Sequence, residues 1–442
     1  MSASTKAAAS DRGYFPVESS TACLLKWGWS SLYLYTGRTN SCHRTTLSTL
    51  ASGELARFHN TAEKQAHRAL MRDGIWPGEG SGCEYCRDIE HTGGVSDRVR
   101  NLEMIGTDPD HAARVPRELF DDPTALEVVP TMLEVYFSNL CNMSCLYCGP
   151  EYSSQWVSEN RLFGKPAHHF NRLDHADTHA LNRAYPGRLK EFWQWLAENH
   201  GSLRLLNVLG GEPFYQAETQ QMIDFLRDHS CPELNLKIFS NLKIERERLG
   251  SLFEQMRALH RSGNCRSVGI VASLDCWGPA QEYVRWGLDL AAWEQNFRYV
   301  ATEHPWAEIS INCTLNALSI KAMPALLERL PDWEAERVAA NAGVPVPKLN
   351  IVFNKLCGPP FMDAAIFPQG FFDADFDRVV ALLPKRNDWE QGNVQYLKGI
   401  WSAINSAAHD PQAIQELRVY LDEMDRRHHT DWRATFPWLV AT

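Results

Sequence analysis

The chain has no run of about 18 apolar residues, the length a helix needs to cross a bilayer. Its opening, MSASTKAAASDRG, lacks the hydrophobic core of a secretory signal. Both absences lead to the expectation of a cytoplasmic protein. Positive charge is also short: 44 Lys and Arg stand against 54 Asp and Glu, a formal net charge of -10. Neither nucleic-acid phosphate nor an anionic leaflet attracts an acidic surface, so neither is expected as a partner. With 44% hydrophobic and 22% charged residues, the composition is that of a soluble globular enzyme. At 442 residues the chain exceeds the roughly 250–300 residues of a single core, which predicts one large domain with additions.

Cysteine, by contrast, is abundant. Twelve cysteines in a long chain without a signal read as metal ligands and buried thiols rather than disulfides. Cys231, Cys265, Cys276, Cys313 and Cys357 are scattered singly, and most read as small buried hydrophobes. The densest run is Cys141-x3-Cys145-x2-Cys148, delivered by the strand formers Leu133-Glu-Val-Tyr-Phe. Three thiols at this spacing turn toward one point only from a loop, and three thiolates suit an iron–sulfur cluster. A cubane cluster held by three cysteines leaves one iron open, whereas a structural zinc site wants a fourth ligand.

With Tyr147 just before its third cysteine, this run resembles the signature of the radical S-adenosylmethionine (SAM) superfamily. The resemblance implies a [4Fe–4S] cluster whose open iron chelates SAM, and an electron that cleaves SAM to a 5′-deoxyadenosyl radical able to take a substrate hydrogen atom. A reducing partner such as flavodoxin or ferredoxin follows from it.

From Arg188 onward, helical patterns alternate with strands at Leu203–Leu209, Leu234–Phe239, Ser267–Leu274, Glu308–Leu315 and Leu349–Phe353. Alternation of this kind predicts parallel pairing with right-handed crossovers. Counting the strand before Cys141, six strands match the α/β fold that the resemblance implies, a partial (β/α)6 TIM-like barrel over residues 133–358. Chemistry then belongs at the carboxyl ends of the strands. The second strand ends in Gly210-Gly211-Glu212-Pro213, similar to the family's GGEP motif, about 60 residues after the cysteines. Its glycines allow close backbone approach and its carboxylate suits the SAM ammonium. Ser240-Asn241 ends the third strand and is similar to a polar pair that approaches SAM in relatives. Ser273-Leu-Asp275 with Arg285-Trp-Gly287 resembles the S-x-D…R-x-G segment, which implies contacts of the serine and arginine with the SAM ribose or carboxylate. Asn312 and Thr314, on the fifth strand, could line the cavity or meet the adenosyl group. For these later positions the plainer reading is strand-end caps and turn formers.

Upstream, Cys23 and Cys42 bracket a hairpin with a turn at Thr36–Asn40. A helix over 61–73 and the Gly-rich loop of Cys83-x2-Cys86 follow. A C-x2-C loop after such a turn is a metal-binding signal. The order, with Trp27, Trp29, Gly37 and Glu90…Gly94…Ser96-x-Arg98, resembles the twitch or SPASM-like domain that holds an auxiliary [4Fe–4S] cluster, although here it precedes the catalytic unit. Four thiolates would cover every iron, leaving a cluster for electron transfer. A zinc site on the same four cysteines is the alternative, and would only staple a small domain.

The expected organisation is therefore a disordered start (1–12), a twitch-like domain (13–98), a connector (99–132), the barrel, and a helical C-terminal extension (359–442). The His-rich stretch AHHFNRLDHADTH reads as a surface insertion or substrate-side lid. Cys357, in a Gly/Pro loop at the last strand's end, reads as a hydrogen-atom donor, a stray cluster ligand or a buried thiol. The resemblance to twitch and SPASM proteins implies a peptide substrate, with a small sugar or cyclitol alcohol as the alternative. A non-catalytic iron–sulfur or zinc protein is the remaining alternative, and such a protein would not require GGEP or the strand-end polar set.

Overall fold

The computed structural model describes residues 19–91, 93, 95–99, 101, 126–167, 175–356 and 358–440. Residues 1–12, most of the connector, Gly94, the middle of the His-rich stretch and Cys357 fall outside these residues.

The architecture is a mixed α/β fold around one nine-stranded sheet of order β3-β2-β1-β4-β5-β6-β7-β8-β9. β1 (Trp29–Tyr33), β2 (Arg38–Asn40) and β3 (Ser48–Thr49) form an antiparallel meander. β4 (Met132–Tyr136), β5 (Leu205–Leu209), β6 (Cys231–Ser240), β7 (Cys265–Ser273), β8 (Glu308–Leu315) and β9 (Asn350–Lys355) then pair in parallel, in chain order. β1 also pairs in parallel with β4, Trp29 against Met132 through Tyr33 against Tyr136. The N-terminal hairpin thus continues the sheet that carries the cysteine loop.

Strand periodicity separates two faces. Leu133, Val135, Leu206, Val208, Leu236, Ile238, Val268, Ile270, Ile309, Ile311, Ile351 and Phe353 belong to the main apolar core. The opposite face carries a row in register across six strands: Ser31, Glu134, Asn207, Lys237, Gly269 and Glu308. Glu134 Oε2 accepts from Ser31 Oγ (2.8 Å) and Oε1 from Asn207 Nδ2 (3.3 Å). Lys237 reaches over Gly269 to Glu308 at 3.7 Å. A Cβ at Gly269 would stand 2.5 Å from the Glu308 carbonyl oxygen, so only glycine fits under that ion pair.

Helices begin where caps dictate. Ser153 Oγ accepts from the Gln155 and Trp156 amides to open Ser154–Phe163, and Asp289 accepts from the Ala292 amide to open Leu290–Glu303. The helical pattern expected from Leu189 starts at His175 and runs through Pro186 to Asn199. The expected stretch from Ala280 to Val300 is two helices, Pro279–Val284 and Leu290–Glu303, parted at Gly287 with φ +97°. In the C-terminal extension, Asp388–Asn405 lies on β9, where Asn393 Nδ2 donates to the Ile351 carbonyl (2.9 Å). Pro411–His428 backs the cysteine loop instead: Tyr420 Oη donates to the Leu146 carbonyl (2.7 Å), and His428 stacks on Trp286 at 4.3 Å. Among the described residues no helix is long and apolar enough to cross a membrane.

Candidate functional site

The loop after β4 is pinned from several sides, which leaves its three thiols clustered at the carboxyl ends of the strands. The Ser144 and Leu146 amides donate to the Trp286 and Val284 carbonyls (3.0 and 2.8 Å), Ser153 Oγ to the Met143 carbonyl (2.6 Å), and Trp156 Nε1 to that of Cys145 (3.0 Å). The Cys141 amide donates to Ser154 Oγ at 3.2 Å. Cys141, Cys145 and Cys148 are half-buried. Burial, then the Cys145 thiol and the Glu212 carboxylate, push the Cys141 thiol up to about 12. Burial, then Cys145 and Cys141, push Cys148 well above the usual thiol range. Burial is the main cause for each thiol, and a bound positive charge would favour the thiolate forms.

The GGEP segment turns back onto this loop. Gly210 and Gly211 take φ of +93° and +45°, and a Cβ on Gly211 would stand 2.2 Å from the Leu140 carbonyl oxygen. The Glu212 amide donates to that same carbonyl (2.8 Å). Gln216, unremarked in the sequence reading, locks the turn: its Nε2 donates to the Gly210 carbonyl (2.6 Å) while its Oε1 accepts from the Ser138 amide (3.3 Å). Glu212 is 1% exposed. Its Oε1 accepts from the Phe214 amide (3.1 Å) and Ser240 Oγ (2.8 Å), its Oε2 from the Asn241 amide (2.7 Å). Burial nevertheless pushes its carboxyl up to about 7, against those hydrogen bonds. Asn241 Nδ2 meets Asn142 Oδ1 at 2.9 Å, tying the third strand's end to the cysteine loop.

A second knot joins β7, β8 and the loop. Asp275, fully buried, accepts from Tyr147 Oη (2.6 Å), Arg285 Nε (3.0 Å), Arg285 Nη2 (2.9 Å) and the Thr314 amide (2.9 Å). Gln281, also missed by sequence reasoning, holds the Asp275 and Cys276 amides through Oε1 at 3.0 and 2.9 Å. Ser273 and Asn312 are register partners, and Asn312 Oδ1 accepts from Asn354 Nδ2 at 2.5 Å. Pro213 is buried in the turn after Glu212.

The four N-terminal cysteines gather at the other end of the chain's hairpin. Cys23 caps the short helix Leu24–Gly28, Cys42 follows β2, and Cys83 and Cys86 flank the start of Glu84–His91. Burial and then Cys86 push the Cys23 thiol up to about 11, with Cys83 adding to it. Burial pushes Cys42 up to about 12, with Cys23 and Cys86 adding to it. Gly82 has φ +80°, and a Cβ there would fall 1.9 Å from the Arg44 carbonyl oxygen. Arg98 closes the unit, donating through Nη1 to the Ala22 carbonyl (2.8 Å) and through Nε and Nη2 to Glu90 (3.0 and 2.5 Å).

Among the described residues no three His, Cys, Asp or Glu side chains converge as ligands of a single metal ion. In a cubane each thiolate binds its own iron, so its donors surround a cluster rather than meet at a point. The chain carries two such groups of cysteines, one of three on the loop after β4 and one of four in the N-terminal unit.

No protein-family model matches the chain. No curated protein matches it either. Solved structures of Streptococcus suis SuiB are similar to the chain at low identity. SuiB bound to precursor peptide SuiA is 12% identical, with 76% of this chain and 55% of that one covered and a TM-score of 0.34. SuiB bound to S-adenosylmethionine is also 12% identical, with 85% and 68% covered and a TM-score of 0.32. The chain spans about half the length of the first. Likeness of this size assigns neither family nor activity.

Proposed function

We propose that the chain is a radical SAM enzyme that modifies a peptide, with a partial (β/α)6 barrel for its catalytic unit and an auxiliary cluster on Cys23, Cys42, Cys83 and Cys86. The observation that carries the reading is the placement of Glu212. A buried carboxylate, pushed up to about 7 and set beside Cys141, is built to receive a cation.

In this reading Cys141, Cys145 and Cys148 hold a [4Fe–4S] cluster, and the cluster when bound supplies the electron that cleaves SAM to its 5′-deoxyadenosyl radical. Glu212 accepts from the SAM ammonium, with Ser240 and Asn241 holding the carboxylate in place. Gly210 and Gly211 bring backbone close to the cofactor, and Pro213 fixes the turn. Ser273, Asn312 and Thr314 border the strand ends where the adenosyl group would lie. A flavodoxin- or ferredoxin-type reductant is the proposed electron source.

Cys145→Ala is expected to abolish 5′-deoxyadenosine formation from SAM under dithionite, measured by chromatography. Cys83→Ala is expected to retain part of it. Undiminished product from Cys145→Ala would overturn the assignment of the cysteine loop.

A further inference from the structure

The polar row across the sheet holds acceptors that its own donors do not satisfy. Ser31 pairs in register with Asn40 on β2, so antiparallel geometry puts Asn40 on the same face and extends the row by one strand. Asn207 is 6% exposed; its Nδ2 donates to Glu134 Oε1 (3.3 Å), while its Oδ1 is buried beside that contact with no partner. Asn40, 5% exposed, also buries an unpartnered Oδ1. Between these two stands the buried Glu134 carboxylate, whose hydrogen bonds come from the neutral donors Ser31 Oγ and Asn207 Nδ2. The row's own cation, Lys237, lies 3.7 Å from Glu308. Among the described residues the one basic group within ion-pair reach of Glu134 is His43 Nε2 at 3.6 Å, an imidazole charged only when protonated.

A buried acceptor without a donor is costly, and a buried carboxylate without a full counter-charge more so. A cationic N–H group relieves both at once: an ammonium brings three donors and a guanidinium five. The face is reached from solvent, since the His43 and Glu308 side chains are 54 and 34% exposed. One strand period nearer the carboxyl ends, on the same face, Tyr33 and Tyr136 stack at 4.2 Å. Tyr152, from the segment after Cys148, closes on them at 6.2 and 6.3 Å. These half-buried rings stand between the acceptor row and the cysteine loop, and suit the methylene stem of a long cationic side chain.

Resting on the peptide-modifying reading above, we infer that this face is a subsite for a basic side chain of the substrate, a lysine or an arginine. Its charged head lies on Glu134 and Asn207 Oδ1, and its stem runs along the tyrosine rings. The subsite recognises the peptide; it takes no part in the radical step.

The test is saturation-transfer NMR on anaerobically reconstituted full-length protein, with SAM and without reductant so that nothing turns over. The probes are acetyl-Gly-Lys-Gly-amide, acetyl-Gly-Arg-Gly-amide and the neutral norleucine analogue, at one fixed pH. The proteins are the parent, Glu134→Gln and Asn207→Val, each checked by circular dichroism. The parent is expected to hold one or both charged peptides about tenfold more tightly than the norleucine peptide. Glu134→Gln is expected to erase that preference and Asn207→Val to reduce it severalfold. The order of the two charged peptides tells an ammonium site from a guanidinium site. A parent without a preference for either charged peptide, or a folded Glu134→Gln that keeps it, would overturn the inference. If Glu134→Gln does not fold, Asn207→Val decides alone, and an undiminished preference there counts against the subsite. The radical SAM reading fails separately, on a parent with no SAM-sensitive reduced-cluster EPR signal, whatever the peptides show.

Discussion

Glu212 shows how one side chain carries both a cost and a purpose. Its carboxyl is pushed up to about 7 by burial, so in the absence of a cation the site is about half protonated near neutral pH. An ammonium bound there needs the ionised form. The sign follows: ligand affinity is full only well above pH 7, and below about pH 7 it falls by about tenfold per unit until the bound-state pKa is reached. Calorimetric titration of the reconstituted protein with SAM from pH 8 to pH 5.5 should show this fall, and Glu212→Gln should bind weakly with a flat profile. A parent profile as flat as the variant's would remove Glu212 from the ammonium site. At this scale the sequence announced the motif but not its locks. Gln216 and Gln281 are ordinary glutamines in ordinary loops, and only the folded turn gives each several backbone partners at once.

At the scale of elements, the N-terminal hairpin is joined to the helix Ala62–Arg72 by buried polar groups rather than by apolar packing alone. Lys64 Nζ donates to Ser30 Oγ (2.8 Å), Thr39 Oγ1 (2.8 Å) and the Asn40 and Phe58 carbonyls (3.0 and 2.7 Å). Burial, then the charge of Arg68, holds its ammonium well below the usual lysine range. Arg68 donates in turn to the Lys26 and His59 carbonyls (2.7 and 2.6 Å). Lys64→Met should strand four acceptors and destabilise this unit by about 3 kcal/mol, seen as a lower urea midpoint and as faster amide exchange across 29–40. An unchanged midpoint would mean that water satisfies those acceptors. Gly82→Ala should harm the same region differently, by driving a Cβ into the Arg44 carbonyl and separating Cys83 from Cys42. Iron or zinc content should fall while the three-cysteine loop keeps its own metal.

The parallel strands were legible to within a few residues, because apolar alternation and turn residues mark them: Leu234–Phe239 was expected and Cys231–Ser240 forms. Helix breaks were less legible. Helical segments were expected from Ala280 to Val300, but not that they part at Gly287, whose φ of +97° is open to glycine; Pro331 sits at the start of Leu330–Ala340, where its missing amide costs nothing. The parallel pairing of the later strands was legible from their alternation with helices, but the pairing of β1 with β4 was not. That β1 lies parallel to β4 depends on the hairpin's docking, which no local pattern encodes.

Taken whole, the chain places two thiol groups on one continuous sheet, one before β1 and after β2, the other after β4. The Ser31, Glu134 and Asn207 row lies on the same sheet, across β1, β4 and β5. His43, next to Cys42, comes within 3.6 Å of Glu134, linking the N-terminal unit to that row. The central claim is that each thiol group holds a cluster and that only the loop after β4 presents one to SAM. Iron and sulfide analysis, with EPR after dithionite and SAM, on anaerobically purified protein and on a Cys141→Ala/Cys145→Ala/Cys148→Ala variant tests it most directly. The account predicts about eight irons in the parent and about four in the variant, with a SAM-sensitive signal only in the parent, since each cubane carries four irons. Four irons with one zinc would make the N-terminal site a structural staple, and a parent without iron would contradict the account.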